Sequence, residues 1–399
     1  MDSLTQRRPQ TISEIGELVK QAAAEGWALY PRGGGTQFDY GYPIEKAGMI
    51  VELGEIRKVI DYPARDMTIT VQAGMTLEEL SQVLRQEGQE LPVDIPLAER
   101  ATVGGAIASN ASGPRRFGWG TLRDYVIGIS LINDQGVEVK GGGRVVKNVA
   151  GYDLMKLLTN SWGTLGIITQ VTLKVRPLAE NRQAILIPCE STDLATLWEL
   201  VRTTKTRPVA FEILSPEIPL FAADTGSGWR VSIAFEDNTP SVVWQVKTFL
   251  SELPAALEKK AQIHSEAKYL KSLNDLTDFP FQIEQSTVLK VNDRPSRVVE
   301  FALSFAENFP CHVLGRAGNG ILYVILKQGY EQEVGSIQSR ILQQISPEGN
   351  CIIQNCSEQV KRNLLVWGKE KPDWGLMRAV KKALDPQGIF SPNRFVGRI

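Results

Sequence analysis

Three consecutive glycines, Gly33 to Gly35, stand between Arg32 and Thr36, directly after the apolar run "WALYP". Glycine weakens helices and strands alike, so three together need a reason. Either the chain makes a plain surface turn here, or its backbone N–H groups must approach something large and negative, as a nest of main-chain donors approaches a diphosphate. In the second reading Thr36 adds a hydroxyl and Arg32 a charge. The pattern is not G-x-G-x-x-G and no helix pattern follows it, which disfavours a nicotinamide-type turn; it also lacks the Gly-Lys-Ser/Thr ending of a P-loop. A second stretch, "PVDIPLAERATVGGAIASNASGPRRFGWGTLRD", sets Gly104, Gly105, Gly113, Gly118 and Gly120 among Thr102, Ser109, Asn110 and Ser112. Small residues let backbone come close to a ligand, and their hydroxyls and amides are fixed donors. A bland loop of that length would be uncommon in a compact domain. A third stretch is "GGGRVVKNVAGYDLMKLLTNSWGTLGII".

The elements that must position these stretches are legible around them. "TISEIGELVKQAAAEG" opens with a capping box, Thr11 with Glu14, carries Ile12, Ile15, Leu18, Val19 and Ala22 on one face, and ends at Gly26. "TLEELSQVLRQEG" repeats the design with Thr76, Glu79 and Gly88. "YVIGISLIND" and "GVEVKGG" read as a hairpin through Asp134–Gly136, and "GTLGIITQVTLKVRP" as a glycine turn and a long strand that Pro177 ends. After residue 180 glycine is sparser. Apolar strands such as "AILIPC" and "GILYVIL" alternate with helices such as "TDLATLWELVRTTK" and "SVVWQVKTFLSEL". The end, "PDWGLMRAVKKALDPQGIFSPNRFVGRI", is a basic amphipathic helix stopped at Asp385–Pro386 and then an irregular tail.

A chain of 399 residues predicts two or three domains, with enough core to need no crosslinks. A formal net charge of -1 gives no support for nucleic-acid binding. The start "MDSLTQRRPQ" has no apolar h-region and no apolar run is long enough to span a bilayer, so a cytoplasmic protein without a transmembrane segment is expected. Cys189, Cys311, Cys351 and Cys356 form no CxxC pair and no histidine cluster lies near them. Buried, reduced thiols are expected, without an iron–sulfur or zinc site.

Taken in order, RGGGT, TVGGAIASNASGPRR with GTLRD, KNVAGYDLMKLL, SWGTLGIIT and LDPQGIFSPNR resemble the FAD-binding family typified by vanillyl-alcohol oxidase and para-cresol methylhydroxylase, the PCMH type. Within it the motifs are most similar to those of the E-type FAD-binding subunits of glycolate oxidase. They span the N-terminal half and return at the tail; the region between them matches only in length and character.

The resemblance implies an α+β protein: a two-part PCMH-type FAD-binding domain over residues 1–180, an α+β cap over 181–355 for substrate or interaction, and a segment 356–399 returning to the FAD domain. It implies that Arg32, Gly33, Gly34, Gly35 and Thr36 wrap the FAD pyrophosphate. Thr102, Gly104, Gly105, Ser109, Asn110 and Gly113 would lie along the pyrophosphate and the flavin side, and Gly166, Ile167 and Ile168 along the adenosine end. In the tail "SPNR", Ser391 and Asn393 replace the family's usual asparagine and glycine, and Asn393 is carried over as a cofactor contact. Some relatives attach the flavin through a histidine after the third glycine. Thr36 stands there, so FAD without a covalent link is expected.

Many hydroxy-acid dehydrogenases of the family carry Gly-His-x-Gly-Asp-Gly-Asn-x-His. Here the stretch is "GRAGNGILY", with Arg316 and Tyr323 at the first and last histidines. No metal site is expected, and Arg316 is the candidate for a substrate carboxylate. Of the two histidines, His312 reads as a partly buried strand residue and His264, in a charged setting, as a surface one. Arg115, Arg116 and Arg123 read equally as anion contacts or as a solvated face. The implied function is an FAD-carrying subunit that oxidises glycolate or D-lactate beside a paralogous flavin subunit and an iron–sulfur subunit, reaching a membrane only through partners. A stand-alone flavin dehydrogenase for a small hydroxy acid and a non-catalytic FAD-binding scaffold are the alternatives.

Overall fold

The helix Ile12–Glu25 forms where the capping signal places it. The Thr11 hydroxyl accepts from Glu14 N at 3.2 Å, and Gly26 takes the left-handed conformation (φ 72°) that ends the helix. The helix Leu77–Gln86 carries a full capping box, Thr76 with Glu79, and the chain turns away at Gly88 (φ 63°). The computed structural model describes residues 4–143, 152–216, 218, 228–282 and 287–399. Most of the KNVAGYDL stretch, up to Gly151, lies outside them.

Two compact units share the chain. The first comprises Met1–Ser112, Thr121–Leu178 and Glu370–Ile399; the second comprises Gly113–Gly120 and Ala179–Lys369.

Among the described residues the first unit has three sheets. Strands β1 (Leu4–Arg7), β2 (Ala28–Arg32) and β3 (Gly48–Glu52) pair in parallel in the order β1-β3-β2. Strands β4 (Val59–Asp61), β5 (Thr68–Gln72), β7 (Val126–Ile132), β8 (Glu138–Gly142) and β9 (Ile167–Lys174) form an antiparallel sheet in the order β4-β5-β9-β7-β8. β7 and β8 are the expected hairpin. Strands β6 (Gln89–Glu90) and β10 (Arg176–Pro177) make a short third pair. Ile15, Val19, Leu29, Met49, Val51, Ile167 and Phe390 fill one core, and Ile69, Val71, Leu80, Leu84, Ile107, Val171 and Leu173 another.

The tail completes the β2 side. Leu29 N donates to Ile389 O at 2.7 Å and Ser391 N to Leu29 O at 2.9 Å, so Phe390 runs parallel beside β2. The tail is anchored by the helix Trp374–Leu384. Its Lys381 donates to Thr164 O at 2.7 Å and Phe390 O at 2.8 Å, and Asp385 accepts from the backbone N–H of Ile389 and Phe390.

The second unit is built on one eight-stranded sheet. Its strands are β11 (Asn181–Cys189), β12 (Ala210–Leu214), β13 (Trp229–Asp237), β14 (Gln262–His264), β15 (Val288–Asn292), β16 (Cys311–Arg316), β17 (Ile321–Leu326) and β18 (Asn350–Asn355), in the order β14-β11-β13-β12-β16-β17-β15-β18. Alternation along the strands gives two different faces. Ile185, Phe211, Ile213, Val231, Ile233, Leu289, Val313 and Val324 point into a large apolar core with residues of the helices Leu194–Thr203, Thr239–Glu252, Val298–Asn308 and Val334–Gln344. The registers place Arg182, Glu236, Glu212, Arg316, Tyr323 and Lys290 on the other face.

Three of the cysteines, Cys189, Cys311 and Cys351, are buried free thiols; Cys356 is half-buried. His264 departs from the surface position expected of it. It is 2% exposed because the helix Glu266–Gln282 folds back beside β14 and brings Ser272 Oγ to 3.5 Å from His264 Nδ1. His312 is a half-buried strand residue in β16, as expected. Among the described residues no helix is long and apolar enough to cross a membrane.

Candidate functional site

The end of β2 and the glycine loop after it form one wall of a cleft in the first unit. Arg32, Gly33, Gly34, Gly35 and Thr36 line it, with Phe38 and Tyr40 beyond. The opposite wall comes from the segment Ala101 to Ser109, which contributes Thr102, Gly104, Gly105 and Ser109. Gly166 and Ile168 enter from the start of β9, Trp162 and Gly163 from the turn before it, and Ser391 and Arg394 from the tail. The open volume is about 980 Å³, solvent at the mouth included.

The glycines have a reason different from the one the sequence offers. A Cβ on Gly34 would stand 1.6 Å from the Arg100 carbonyl oxygen, and one on Gly33 would stand 2.0 Å from the Thr102 hydroxyl. Gly35 has φ +71°. The loop is therefore glycine because it lies directly on the opposite wall, and this contact brings the two segments together. The second stretch is not a long loop. It contains the helix Val103–Ser109 and, in the second unit, the helix Arg116–Trp119.

Thr102 caps the helix Val103–Ser109, its hydroxyl accepting from Gly105 N at 3.3 Å. Ser109 Oγ donates to Gly105 O at 2.9 Å. Asn110 ends that helix in the left-handed region (φ 49°) and does not line the cleft. Gly113 falls in the second unit. Ile167 points away into the core at 0% exposure while its neighbours Gly166 and Ile168 face the cleft, as alternation along a strand requires. Asn393 (φ 64°) is not part of the lining, whereas Ser391 and Arg394 are.

The arginines of the cleft are held from behind. Arg32 and Arg8 both hydrogen-bond Glu52. Burial alone would raise the Glu52 carboxyl, but these arginines hold it below the usual carboxylate range. Arg394 donates to the carbonyls of Phe38 at 2.5 Å and Tyr40 at 2.6 Å, so the tail fixes the far end of the glycine loop. Tyr40 and Trp162 stack with centroids 6.0 Å apart.

The chemistry of this lining fits FAD. A wall without side chains, the Thr36 hydroxyl and two anchored arginines suit a diphosphate, while Leu53, Ile95, Ile168 and the Tyr40–Trp162 pair suit flat rings.

The comparisons agree. A family model described as FAD binding domain matches residues 6–142, and one described as FAD linked oxidases, C-terminal domain, matches residues 359–395. By these two matches the chain carries the FAD binding domain and the C-terminal segment of the FAD-linked oxidases. Members similar to it include D-2-hydroxyglutarate dehydrogenase of Xanthomonas citri pv. viticola, 24% identical over 97% of this chain and 88% of that protein. Glycolate oxidase subunit GlcD of Bacillus subtilis is 24% identical over 98% and 88%. Glycolate oxidase subunit GlcE of Escherichia coli is 36% identical over 40% of this chain and 46% of that one. The solved structure of alkyldihydroxyacetonephosphate synthase shares the fold, with a TM-score of 0.70, 18% identity, and 96% of this chain and 76% of that one covered. This FAD-linked oxidase is thus a flavin-dependent oxidoreductase with FAD as its cofactor.

The second unit of this oxidase carries a charged cluster on the polar face of its sheet. Arg316 is 1% exposed; its guanidinium sits 4.9 Å above the Tyr323 ring and its Nε 4.0 Å from Glu212 Oε2. Lys290, directly opposite Tyr323 on β15, is half-buried. Burial and the charges of Arg116 and Arg316 push its amine down to about 7. Burial likewise raises the Tyr323 phenol. Nothing in the sequence around Lys290 marks it, because the groups that act on it come from two other segments.

A second network lies further along the same face. Glu236 takes both oxygens to Arg115 Nη1 at 3.2 Å and accepts from Tyr269 OH at 2.8 Å and Trp119 Nε1 at 3.1 Å. Arg182 Nε lies 3.4 Å from it. Burial would raise this carboxyl, yet the two arginines and the two donors hold it below its usual range. Arg115 is therefore a structural residue, 8% exposed.

Proposed function

We propose that the chain oxidises a small 2-hydroxy acid and passes the electrons to FAD held without a covalent bond in the glycine-walled cleft, and that it works as the flavin subunit of a glycolate or D-lactate dehydrogenase complex. The observation that carries the reading is the cleft, whose walls are made of the two glycine-rich stretches. Relatives named as glycolate oxidase subunits and as D-lactate and D-2-hydroxyglutarate dehydrogenases support the substrate class. When bound, FAD accepts a hydride from the carbon bearing the hydroxyl.

The chain's own residues supply binding and charge. In this reading Arg32, Gly33, Gly34, Gly35, Thr36, Thr102, Gly104, Gly105, Ser109, Gly166, Ile168, Ser391 and Arg394 hold the cofactor. Asn110, Ile167 and Asn393 lie beside the cleft in the chain but outside its lining. An anionic substrate calls for cations, and the polar face of the second unit has them. Arg316 lies beneath that face with its side chain fully buried. Lys290 and Arg116, both half-buried, are the cations that solvent reaches. Electrons leave through a paralogous flavin subunit and an iron–sulfur subunit, which would also supply any contact with a membrane.

The test is anaerobic addition of glycolate or D-lactate to the FAD-loaded chain, alone and with the proteins that co-purify with it. Bleaching of the flavin band supports the reading. A band unchanged by either acid, with the partners present, leaves the scaffold alternative in its place.

A further inference from the structure

Trp162 is a bulky residue in a backbone conformation that suits glycine. It has φ 55° in the turn before β9, between Asn160 at φ 67° and Gly163 at φ 68°. Asparagine and glycine take the left-handed region readily, whereas a large aromatic residue there is an outlier. The surroundings hold it in place. Asn160 N donates to Ile107 O at 3.0 Å and Trp162 N to Ala108 O at 2.8 Å, which pins the turn to the helix Val103–Ser109. Thr164 closes the turn, donating to Ser161 O from its backbone N–H at 3.1 Å and from its hydroxyl at 2.7 Å.

The side chain is held as firmly as the backbone. The indole Nε1 donates to Asn160 Oδ1 at 3.0 Å. The ring is half-buried and lines the cleft, stacked with Tyr40 and 6.4 Å from the Phe395 ring. The far end of the glycine loop, the turn before β9 and the tail thus each bring one aromatic ring to the same place. An asparagine or glycine at position 162 would keep the backbone bonds of the turn without the strain. What only the tryptophan adds is a flat ring at the cleft.

We propose that this strain is retained for the cofactor, and that Trp162, with Tyr40, is the seat of one flat ring of FAD. Residues in unfavourable conformations persist at ligand clamps, where the structure around them over-determines their position. A fixed indole binds a ring system by stacking on its face. The inference rests on the reading of the cleft as the FAD site. It adds a residue whose effects on stability and on cofactor binding run in opposite directions, which a residue serving only to pack the turn would not show.

The full chain is compared with its Trp162→Phe, Trp162→Leu and Trp162→Asn variants. Urea unfolding without FAD reads the strain, and the rise of flavin fluorescence on dilution of the loaded chain reads cofactor release. Without FAD, Trp162→Asn should be more stable than Trp162→Leu, although it is the less apolar of the two. With FAD, both should release the cofactor at least about tenfold faster than wild type, while Trp162→Phe, which keeps a ring, should stay within about threefold. Competition by ADP assigns the ring: in Trp162→Leu it weakens if the adenine is seated on the indole, and it is unchanged if the isoalloxazine is. Wild-type release rates in Trp162→Asn, release from Trp162→Phe as fast as from Trp162→Leu, or a Trp162→Asn chain less stable than Trp162→Leu would overturn the proposal. A wild-type chain that binds no FAD refutes the cleft reading itself. One that binds FAD whatever stands at position 162 refutes only the ring seat.

Discussion

Lys381 and Asp385 form a buried ion pair at the end of the helix Trp374–Leu384, Nζ to Oδ2 at 2.5 Å, and together they hold the tail against the cleft. Burial lowers the Lys381 pKa and Asp385 opposes the shift. The pair's remaining bonds go to backbone: Lys381 to Thr164 and Phe390, Asp385 to Ile389 and Phe390. Ser391 and Arg394 of the cleft lie just beyond.

Breaking this pair should detach the tail. Asp385→Ala leaves a buried ammonium without its carboxylate, at a cost of about 3 to 5 kcal/mol. Urea unfolding should show that loss, and FAD should be released on gel filtration. A variant that keeps wild-type stability and flavin content would contradict the anchoring role.

Gly34→Ala should damage the cleft, because its Cβ would stand 1.6 Å from the Arg100 carbonyl oxygen. Overpacking of this kind costs about 1 to 3 kcal/mol, and FAD affinity should drop at least tenfold. Gly54→Ala is the control: nothing lies within 4 Å of its Cβ, and both stability and FAD binding should stay near wild type. Fluorescence titration with FAD measures the affinities, and urea unfolding the stabilities.

The Glu52 carboxyl gives a pH signature. Its folded-state pKa lies below its ordinary value through Arg32 and Arg8. The stabilisation from that lowering is therefore present above the unfolded-state value, about 4.3, and is lost as pH falls through the folded value. Glu52→Gln should be less stable than wild type by about 1 kcal/mol at neutral pH. The gap should close as pH drops below about 4. Thermal melts across pH 3 to 8 follow it.

Glu236→Gln should destabilise the second unit by about 3 kcal/mol, because Arg115 and Arg182 would then face a neutral partner. The Trp119 indole donates to this carboxylate at 3.1 Å, so its fluorescence should change as well. Urea unfolding and emission spectra give the two readouts.

Local signals carried well from sequence to structure. Thr11 with Glu14 and Thr76 with Glu79 act within four residues, and both helices start where those pairs place them. The alternating strands of both units were legible for the same reason. What stayed hidden depends on contacts far apart in the chain. His264 reads as a surface residue among charged neighbours, but a later helix buries it. Arg115 reads equally as an anion contact or as part of a solvated face, but its partner Glu236 is 121 residues away. Gly33 and Gly34 announce a ligand loop, yet their lack of side chains is required by Arg100 and Thr102 on the opposite wall. Lys290 sits in an ordinary strand pattern, and only the fold sets it directly opposite Tyr323 of β17.

The central claim is that the glycine-walled cleft is the FAD site, and the visible spectrum of the purified chain tests it most directly. After supply of FAD and removal of the excess, a flavin band equivalent to about one FAD per chain is expected for wild type and Gly54→Ala, and a much weaker one for Gly34→Ala. A wild-type chain that shows no flavin band, or a Gly34→Ala chain that holds FAD as tightly as wild type, would contradict it.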